Sequence, residues 1–299
     1  MTTAEAGISR NLRWLGSAPR AFFVFMRRWP VLPAIVLSAL VIAAILGPLI
    51  EPYNPLLTDM SKRNTPPVWS AEGSAQHLLG TDPVGRDILS RIIRAARITV
   101  IVVLVSQATG MIVGSALGLI AGYFGGVLDE VIMRIVDMWS SLPYLLVVLT
   151  VVVVFGQGFA ILVIVLALLS WPGAVRLVRA QTLALRTRDY VALSKVAGAS
   201  IGRILYRHIL PGVLDVVVVT ATLHAGTIIL TEATLSFLGA GVPPPNPSWG
   251  SMVADGRQYM RDAWWVAFWP GMAILLVVMA GNFLGDWLRD RFDPRLRQV

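Results

Sequence analysis

The sequence contains no cysteine, which excludes disulfides, thiol nucleophiles and thiolate metal sites. Its three histidines, His77, His208 and His224, are too scattered along the chain for a zinc-binding motif. Charged residues make up only 14% of the 299 residues, a small share for a soluble globular domain. Neither a metal centre nor a cysteine-based active site is therefore expected.

Sequence motifs for nucleotide chemistry are absent as well. The chain has no G-x-x-x-x-G-K-[ST] segment, so it does not bind ATP in the P-loop manner. No arrangement of serine and histidine indicates a catalytic nucleophile. We expect a protein with no catalytic, cofactor-binding or metal-binding residues, whose work draws its energy from another protein.

Apolar residues, in contrast, make up 56% of the chain and occur in long runs. Runs of about 20 residues match a hydrocarbon layer of about 30 Å, because an α-helix rises about 1.5 Å per residue. The pattern predicts an all-α polytopic membrane protein with six transmembrane helices. The net charge is +8, but the basic residues lie beside the apolar runs, which argues for contact with membrane lipid and against nucleic-acid binding.

The predicted organisation follows these runs. Asp82 and Pro83 predict the start of a helix that lies in the membrane interface before the second span. Pro143 predicts a break in the third span. The predicted parts are a cytoplasmic N-terminal segment (1–30), a first transmembrane helix (31–50), an extracytoplasmic loop with the interfacial helix (51–97), a five-helix core (98–288) and a cytoplasmic tail (289–299).

The charge distribution predicts the orientation. Arg27, Arg28 and Trp29 precede the first apolar run, an arrangement typical of a cytoplasmic anchor. The basic region is too long for a signal peptide, and no small-residue cleavage site follows the run. With both termini inside, most of the 25 lysines and arginines fall on the cytoplasmic side. We expect a multi-pass protein of the bacterial cytoplasmic membrane with cytoplasmic N- and C-termini.

Glycines recur at every fourth position of the second span. Small residues at this spacing let another helix approach closely in lipid, where the hydrophobic effect does not drive association. We expect close packing within the bundle, and contact with another subunit is the alternative. The glycines are Gly110, Gly114, Gly118 and Gly122.

The fifth span is the most polar. Glu232 is the only carboxylate well inside a predicted span, and a charge at the bilayer centre costs about 2.5–3.5 kcal/mol on insertion scales. We therefore predict a translocation path lined by His224, Thr227, Thr231 and Glu232. In the alternative interpretation, Glu232 lies near the outer end of the span and serves structure, and His224 is a packing residue.

A polar and basic stretch, residues 189–211, leads into the fifth span. It predicts two short helices, Asp189–Ala197 and Ile201–Ile209, with Gly198 ending the first and Ser200 as N-cap of the second. Pro211 predicts the end of the second helix. Such a bent helix pair fits a groove on a soluble partner, and a generic amphipathic interfacial helix is the alternative.

This stretch resembles the cytoplasmic coupling loop of ABC importer permeases, whose pattern is E-A-A, three residues, G, nine residues, I-x-L-P. Gly198, Leu210 and Pro211 are in register with that pattern. His208 takes the isoleucine position, as in the R-H-I-L-P of the peptide-importer branch. The opening departs from the pattern, because Ala192-Leu193-Ser194 replaces E-A-A.

The resemblance extends over residues 80–297, where several sequence motifs of the dipeptide, oligopeptide and nickel importer permeases recur in the same order. They are GTDPVGRD, GYFGG, RHILP, EATLSFLG, PPPNPSWG and NFLGDWLRDRFDPRLR. The chain is most similar to the second, shorter permease of such importers. The resemblance implies an ABC importer type I permease fold with a cytoplasmic coupling helix.

The resemblance also implies partners and cargo. The partners are a second homologous permease, one or two ABC ATPase subunits that hold ATP and Mg, and an extracytoplasmic substrate-binding protein. The implied cargo is di- or oligopeptides, with nickel chelates or glutathione as alternatives. An ion-coupled secondary transporter and a membrane scaffold remain as interpretations from other classes. The residues expected to couple the chain to the ATPase are Gly198, Ser200, Arg203, Arg207, His208, Leu210 and Pro211.

Overall fold

The computed structural model describes residues 30–292, and within this range the chain is helical with no β-strand. The predicted N-terminal segment and most of the predicted tail lie outside the described residues. The helices are α1 (Val31–Ile50), α2 (Ile88–Phe124), α3 (Gly126–Ser141), α4 (Tyr144–Phe155), α5 (Phe159–Leu185), α6 (Asp189–Val196), α7 (Ile201–Phe237), α8 (Trp249–Gly256) and α9 (Trp265–Phe292).

Five of these helices, namely α1, α2, α5, α7 and α9, are long and apolar enough to cross a membrane. Helices α3 and α4 pass the same test only together, and they are bent by 78° at the break between them. Counting this pair as one broken span gives the six spans that the sequence predicts. Pro143 lies in the break, as predicted, because a proline has no backbone N–H with which to continue α3.

Helix α2 begins at Ile88, after an N-cap at Asp87, and runs without interruption to Phe124. The predicted start at Asp82 is wrong. The Asp82 carboxylate instead closes a turn, accepting the backbone N–H of Arg86 at 2.9 Å. Aspartate followed by proline favours turns as well as helix starts. The predicted interfacial helix is therefore the first part of α2, and the predicted boundary between loop and core lies inside this helix.

The glycines of α2 face α5 along its length. A Cβ atom on Gly110 would lie 2.4 Å from Cβ of Ser170, and one on Gly114 would lie 2.4 Å from Cβ of Ala174. Real Cβ atoms do not approach other atoms this closely, so only glycine permits the observed separation of the two helices. A Cβ atom on Gly118 or Gly122 would likewise lie only 2.8 Å or 2.6 Å from the nearest atom of the same helix. The structure thus places the glycine stripe at a contact within the bundle.

Polar contacts fix the far end of the α2–α5 pair. Arg179 donates from Nη2 to Oδ2 of Asp129 at 2.6 Å, which joins α5 to α3. Arg186 donates to the carbonyl oxygens of Gly122 at 3.0 Å and Tyr123 at 3.2 Å, where α2 ends. The bonds from Arg186 satisfy the last carbonyl groups of α2. The bond from Arg179 to Asp129 fixes α5 against α3.

The opposite end of the bundle is closed by residues 51–87 and α8, here called the loop layer. Trp249 of α8 donates its indole N–H to the carbonyl oxygen of Ile92 at 3.1 Å. Trp265, at the start of α9, donates to the carbonyl oxygen of Thr81 at 3.2 Å. Both rings are buried in a cluster that also contains Ile88. The layer is therefore tied to the helices through buried aromatic side chains.

Candidate functional site

The coupling stretch forms a sharp turn between α6 and α7, here called the elbow (residues 189–209). Helix α6 ends in a Schellman motif, in which Gly198 N–H bonds to the Lys195 carbonyl at 3.0 Å and Ala199 N–H to the Ser194 carbonyl at 3.0 Å. Gly198 has φ of +78°, in the left-handed region. A side chain in this conformation costs about 1–2 kcal/mol. The backbone therefore requires glycine at position 198, where the sequence predicts the end of the first helix.

The second arm of the elbow begins as the sequence predicts. The Ser200 hydroxyl caps it by accepting the backbone N–H of Arg203 at 3.4 Å. Val191, Ile204 and Ile209 are buried in one cluster, which anchors both arms of the elbow to the bundle.

The second arm does not end at Leu210 and Pro211. A π-helical turn, Ile204–Ile209, leads directly into the long α-helical part of α7, which gives one helix of 37 residues. A proline ring in an α-helix clashes with the carbonyl group four residues earlier. The wider π-helical turn just before Pro211 relieves that clash. The predicted stop is therefore wrong, and the elbow is continuous with the fifth span.

The predicted contact residues of the elbow separate into two groups. Arg203 and Arg207 are exposed, as are the neighbouring apolar side chains of Val196 and Tyr206. His208 is half-buried and faces the other arm, with Nε2 at 3.4 Å from Oγ of Ser194. His208 therefore joins the two arms of the elbow, and its contact with a partner stays a prediction.

A cavity of about 610 Å³ lies where the α3–α4 break meets α5 and α7. Three of the four predicted path residues, His224, Thr227 and Thr231, line it. The break contributes backbone and side chains from Ser140 to Tyr144. The cavity combines these hydroxyl groups with apolar walls, an arrangement that suits small ligands carrying both polar and apolar groups.

Glu232 is absent from the lining of this cavity, and its place in a path stays a prediction. It is buried, and its carboxylate accepts the Ser236 hydroxyl at 2.7 Å, one turn further along α7. Helix α8 covers this part of α7 so closely that a Cβ atom on Gly250 would lie 2.3 Å from the Ala233 carbonyl oxygen. Glu232 thus belongs to the contact between α7 and the loop layer, the structural role given above as the alternative.

Replacing Glu232 by glutamine should leave uptake and protein yield close to those of the unchanged chain. The amide oxygen of glutamine can still accept the Ser236 hydroxyl, and no charge is required there for contact with cargo. Glu232→Leu should lower the yield of folded protein, because it leaves a buried hydroxyl unpaired at a cost of about 1–3 kcal/mol. Size-exclusion profiles and uptake rates of both variants, measured in parallel, test these two expectations. A transport defect in a well-folded E232Q protein would support the interpretation that Glu232 lines the path.

Arg176 also lines the cavity, and it is not among the path residues predicted from the sequence. Its guanidinium donates from Nη2 to Oδ1 of Asp137 at 2.9 Å and to Oγ of Ser140 at 3.0 Å. A signal was available, because the apolar pattern continues past Arg176 through Leu177 and Val178. That continuation indicates an arginine within a span and not after it.

Known proteins similar to this chain agree with this architecture. The family described as "Binding-protein-dependent transport system inner membrane component" matches residues 114–298. The di/tripeptide transport system permease protein DppC of Pseudomonas aeruginosa is 42% identical over 260 residues, which cover 87% of this chain and 86% of the relative. The glutathione transport system permease protein GsiD of Pectobacterium atrosepticum is 44% identical over 224 residues, which cover 75% of this chain and 74% of the relative.

Among solved structures, the inward-facing MetNI methionine ABC transporter contains a chain that superposes with a TM-score of 0.56. The identity is 21%, and the match covers 69% of this chain and 98% of the other. This likeness shows an ABC permease fold. The chain is therefore a multi-pass membrane protein that belongs to the family of binding-protein-dependent transport system inner membrane components.

Proposed function

We propose that this chain is a permease subunit that imports di- or oligopeptides across the cytoplasmic membrane, driven by ABC ATPases bound at the elbow. The observation that carries the proposal is the construction of α7. One uninterrupted helix holds the elbow at its first turns and the cavity-lining His224, Thr227 and Thr231 further along. A rigid displacement of the elbow therefore reaches the wall of the cavity.

The elbow has the surface that an ATPase partner would need. Arg203 and Arg207 offer exposed positive charge, and Val196 offers an apolar contact that is 87% exposed. The buried side chains beneath hold this surface in place, so binding does not have to order it first. The ATP and Mg that energise transport belong to the partner in this proposal.

A second permease in this proposal covers the side of the cavity that this chain leaves open. The side chains of Arg176 and Asp137 at the cavity are 44% and 65% exposed, although Arg176 lies in the membrane-length helix α5 and Asp137 in the first half of the broken span. Charged groups facing lipid cost several kcal/mol, so this face requires water and protein. A homologous permease packed over the cavity would supply both and enclose the path between two subunits.

The helix directions support cytoplasmic termini. Helix α1 ends, and α9 begins, next to the loop layer, so their other ends point toward the side of the elbow. If the elbow meets a cytoplasmic ATPase, both termini lie in the cytoplasm and the loop layer faces the binding protein. This orientation agrees with the excess of arginine and lysine on the elbow side.

Peptides are the proposed cargo because the di/tripeptide permease is 42% identical over 87% of this chain. Glutathione is the second candidate, favoured by the identity of 44% to the glutathione permease. Nickel chelates remain the third, on the family resemblance. Uptake assays with a labelled dipeptide, glutathione and a nickel chelate distinguish the three.

Purification of the tagged chain in mild detergent, followed by mass spectrometry, tests the proposal. We expect an ATPase and a second permease in stoichiometric amounts. The double variant Arg203→Glu/Arg207→Glu should lose the ATPase about tenfold or more and keep the permease, because like charges brought together at an interface cost several kcal/mol.

Arg261→Glu, an exposed reversal next to the loop layer, is the matched control and should retain the ATPase. A well-folded chain that purifies alone and accumulates substrate on an ion gradient would contradict the proposal. That result would favour a secondary transporter.

A further inference from the structure

The side of the cavity nearer the elbow carries one guanidinium, that of Arg176 in α5. Arg176 lies about 26 Å from the first residue of this 27-residue helix, at about 1.5 Å per residue. A bilayer core of about 30 Å centred on the helix therefore includes it. An ionisable group at such a depth, beside a cavity, indicates a functional site.

The neighbouring arginines of α5 have different surroundings. Arg179 is held by both oxygens of Asp129, and Arg186 caps the last carbonyls of α2, so both serve the packing of helices. Arg176 is the one that opens on the cavity. Its contact with Asp137 is too exposed to add much stability, since exposed pairs contribute about 0–1 kcal/mol.

The geometry of the pair decides how another carboxylate can bind the guanidinium. Both hydrogen bonds of Arg176 to described residues start from Nη2, with Asp137 and Ser140 as acceptors. Ser140 is itself fixed, because its hydroxyl donates to the Val136 carbonyl at 2.7 Å. Each edge of a guanidinium that can hold both oxygens of a carboxylate includes Nη2, paired with either Nε or Nη1, so a second carboxylate binds Arg176 in this way only by displacing Asp137 from Nη2.

We propose that Arg176 binds the carboxylate of the cargo during passage, and that Asp137 is the resting counterion from which the cargo takes it over. The inference rests on the proposed function, because it takes the cavity as part of the peptide path. Every linear peptide with a free C-terminus carries this carboxylate, whatever its side chains. The apolar walls at Leu142, Leu166 and Ile228 would meet the variable side chains.

The two members of the pair have unequal roles in this proposal, and the test uses that inequality. The complex purified as above is reconstituted with its binding protein, and the initial rate of ATP-driven uptake of a labelled dipeptide is measured. Arg176→Gln should lower the maximal rate about tenfold or more, because a charge-assisted hydrogen bond to cargo is lost. The concentration of loaded binding protein that gives half the maximal rate should stay the same.

Asp137→Asn should tighten binding of the dipeptide to the complex in lipid nanodiscs about threefold or more, because it removes the carboxylate that competes for the guanidinium. The charge-swapped variant Asp137→Arg/Arg176→Asp restores an ion pair but moves the positive charge to α3, so it should remain as slow as R176Q. The control is Arg134→Gln, which breaks an exposed ion pair with Glu130 on the same helix α3 as Asp137, away from the cavity lining. It should transport as the unchanged complex does.

Equilibrium binding to the complex in lipid nanodiscs, with the same dipeptide and its C-terminal amide as probes, adds a readout of the carboxylate itself. The unchanged complex should prefer the free carboxylate about tenfold, and R176Q should show no preference. Where binding is too weak to measure, the uptake comparison decides by itself.

Three results would overturn the inference: undiminished uptake by R176Q, equally weakened dipeptide binding in R176Q and D137N, or recovery in the charge-swapped variant. The last two would give the pair a purely structural role. If the unchanged complex accumulates no dipeptide at all, the proposed peptide import fails, and the inference fails with it. That outcome is distinct from one in which only Arg176 proves dispensable.

Discussion

Replacing Gly114 with leucine is expected to abolish the folded protein. A single added Cβ would lie 2.4 Å from Ala174 Cβ and 2.8 Å from the Trp171 carbonyl oxygen, so the backbones of α2 and α5 would have to separate. Overpacking costs about 1–3 kcal/mol even where side chains can move aside, and here a carbonyl is in the way. Fluorescence-detected size exclusion of detergent extracts should show at least a roughly tenfold lower monodisperse peak.

Gly271→Leu in α9 is the matched control, because a Cβ atom at Gly271 meets no described atom within 4 Å. Its yield should stay within about twofold of the unchanged chain, since exposed helix glycines cost only about 1 kcal/mol in either direction. Equal losses in both variants would mean that any leucine in a span is harmful, and would remove the special role of the α2–α5 contact.

Replacing Gly198 with valine is expected to stop transport without unfolding the membrane helices. The left-handed backbone at φ of +78° disfavours any side chain by about 1–2 kcal/mol, and β-branched residues by more. The elbow would change its angle while α2, α5 and α9, which do not contain it, keep their packing. Uptake should fall about tenfold or more, with the unfolding temperature in detergent little changed.

Gly198→Asn separates the backbone requirement from the identity of the residue. Asparagine tolerates the left-handed conformation, and open space surrounds the Cβ position of Gly198 in the described chain. We expect G198N to retain most of the transport that G198V loses. Equal transport defects in the two variants would show that residue 198 contacts a partner directly and that the backbone conformation there does not determine transport.

The sequence predicts the fold correctly where one physical rule dominates. Apolar runs identified the spans, because lipid forces helices to satisfy every backbone hydrogen bond internally. The four-residue glycine spacing predicted a close helix contact, and Pro143 predicted the broken span. Gly198 predicted the turn, since a helix that reverses this sharply needs a residue with positive φ.

Predictions from the sequence fail where two physical rules compete. Pro211 usually ends a helix, but the π-helical turn before it removes the clash, and no sequence signal separates the two outcomes. Asp82 had the composition of a helix cap but forms a turn, because Asp87 provides a better cap five residues later. The depth of Glu232 in the span does not predict which neighbours it contacts, because those neighbours depend on how α8 packs on α7.

The unbroken length of α7 sets a limit on how motion can be transmitted. The helix is about 55 Å long at about 1.5 Å per residue over 37 residues. If α7 and the elbow pivot together as a rigid rod about the contact with α8, a tilt of about 5° displaces the elbow by about 5 Å. Thr227 lies about 15 Å from that contact, so the same tilt moves it by little more than about 1 Å. In the proposed complex, a tilt that is large at the elbow is thus reduced about fourfold at the cavity wall, and widening the cavity takes axial rotation of α7 or movement of the facing helices.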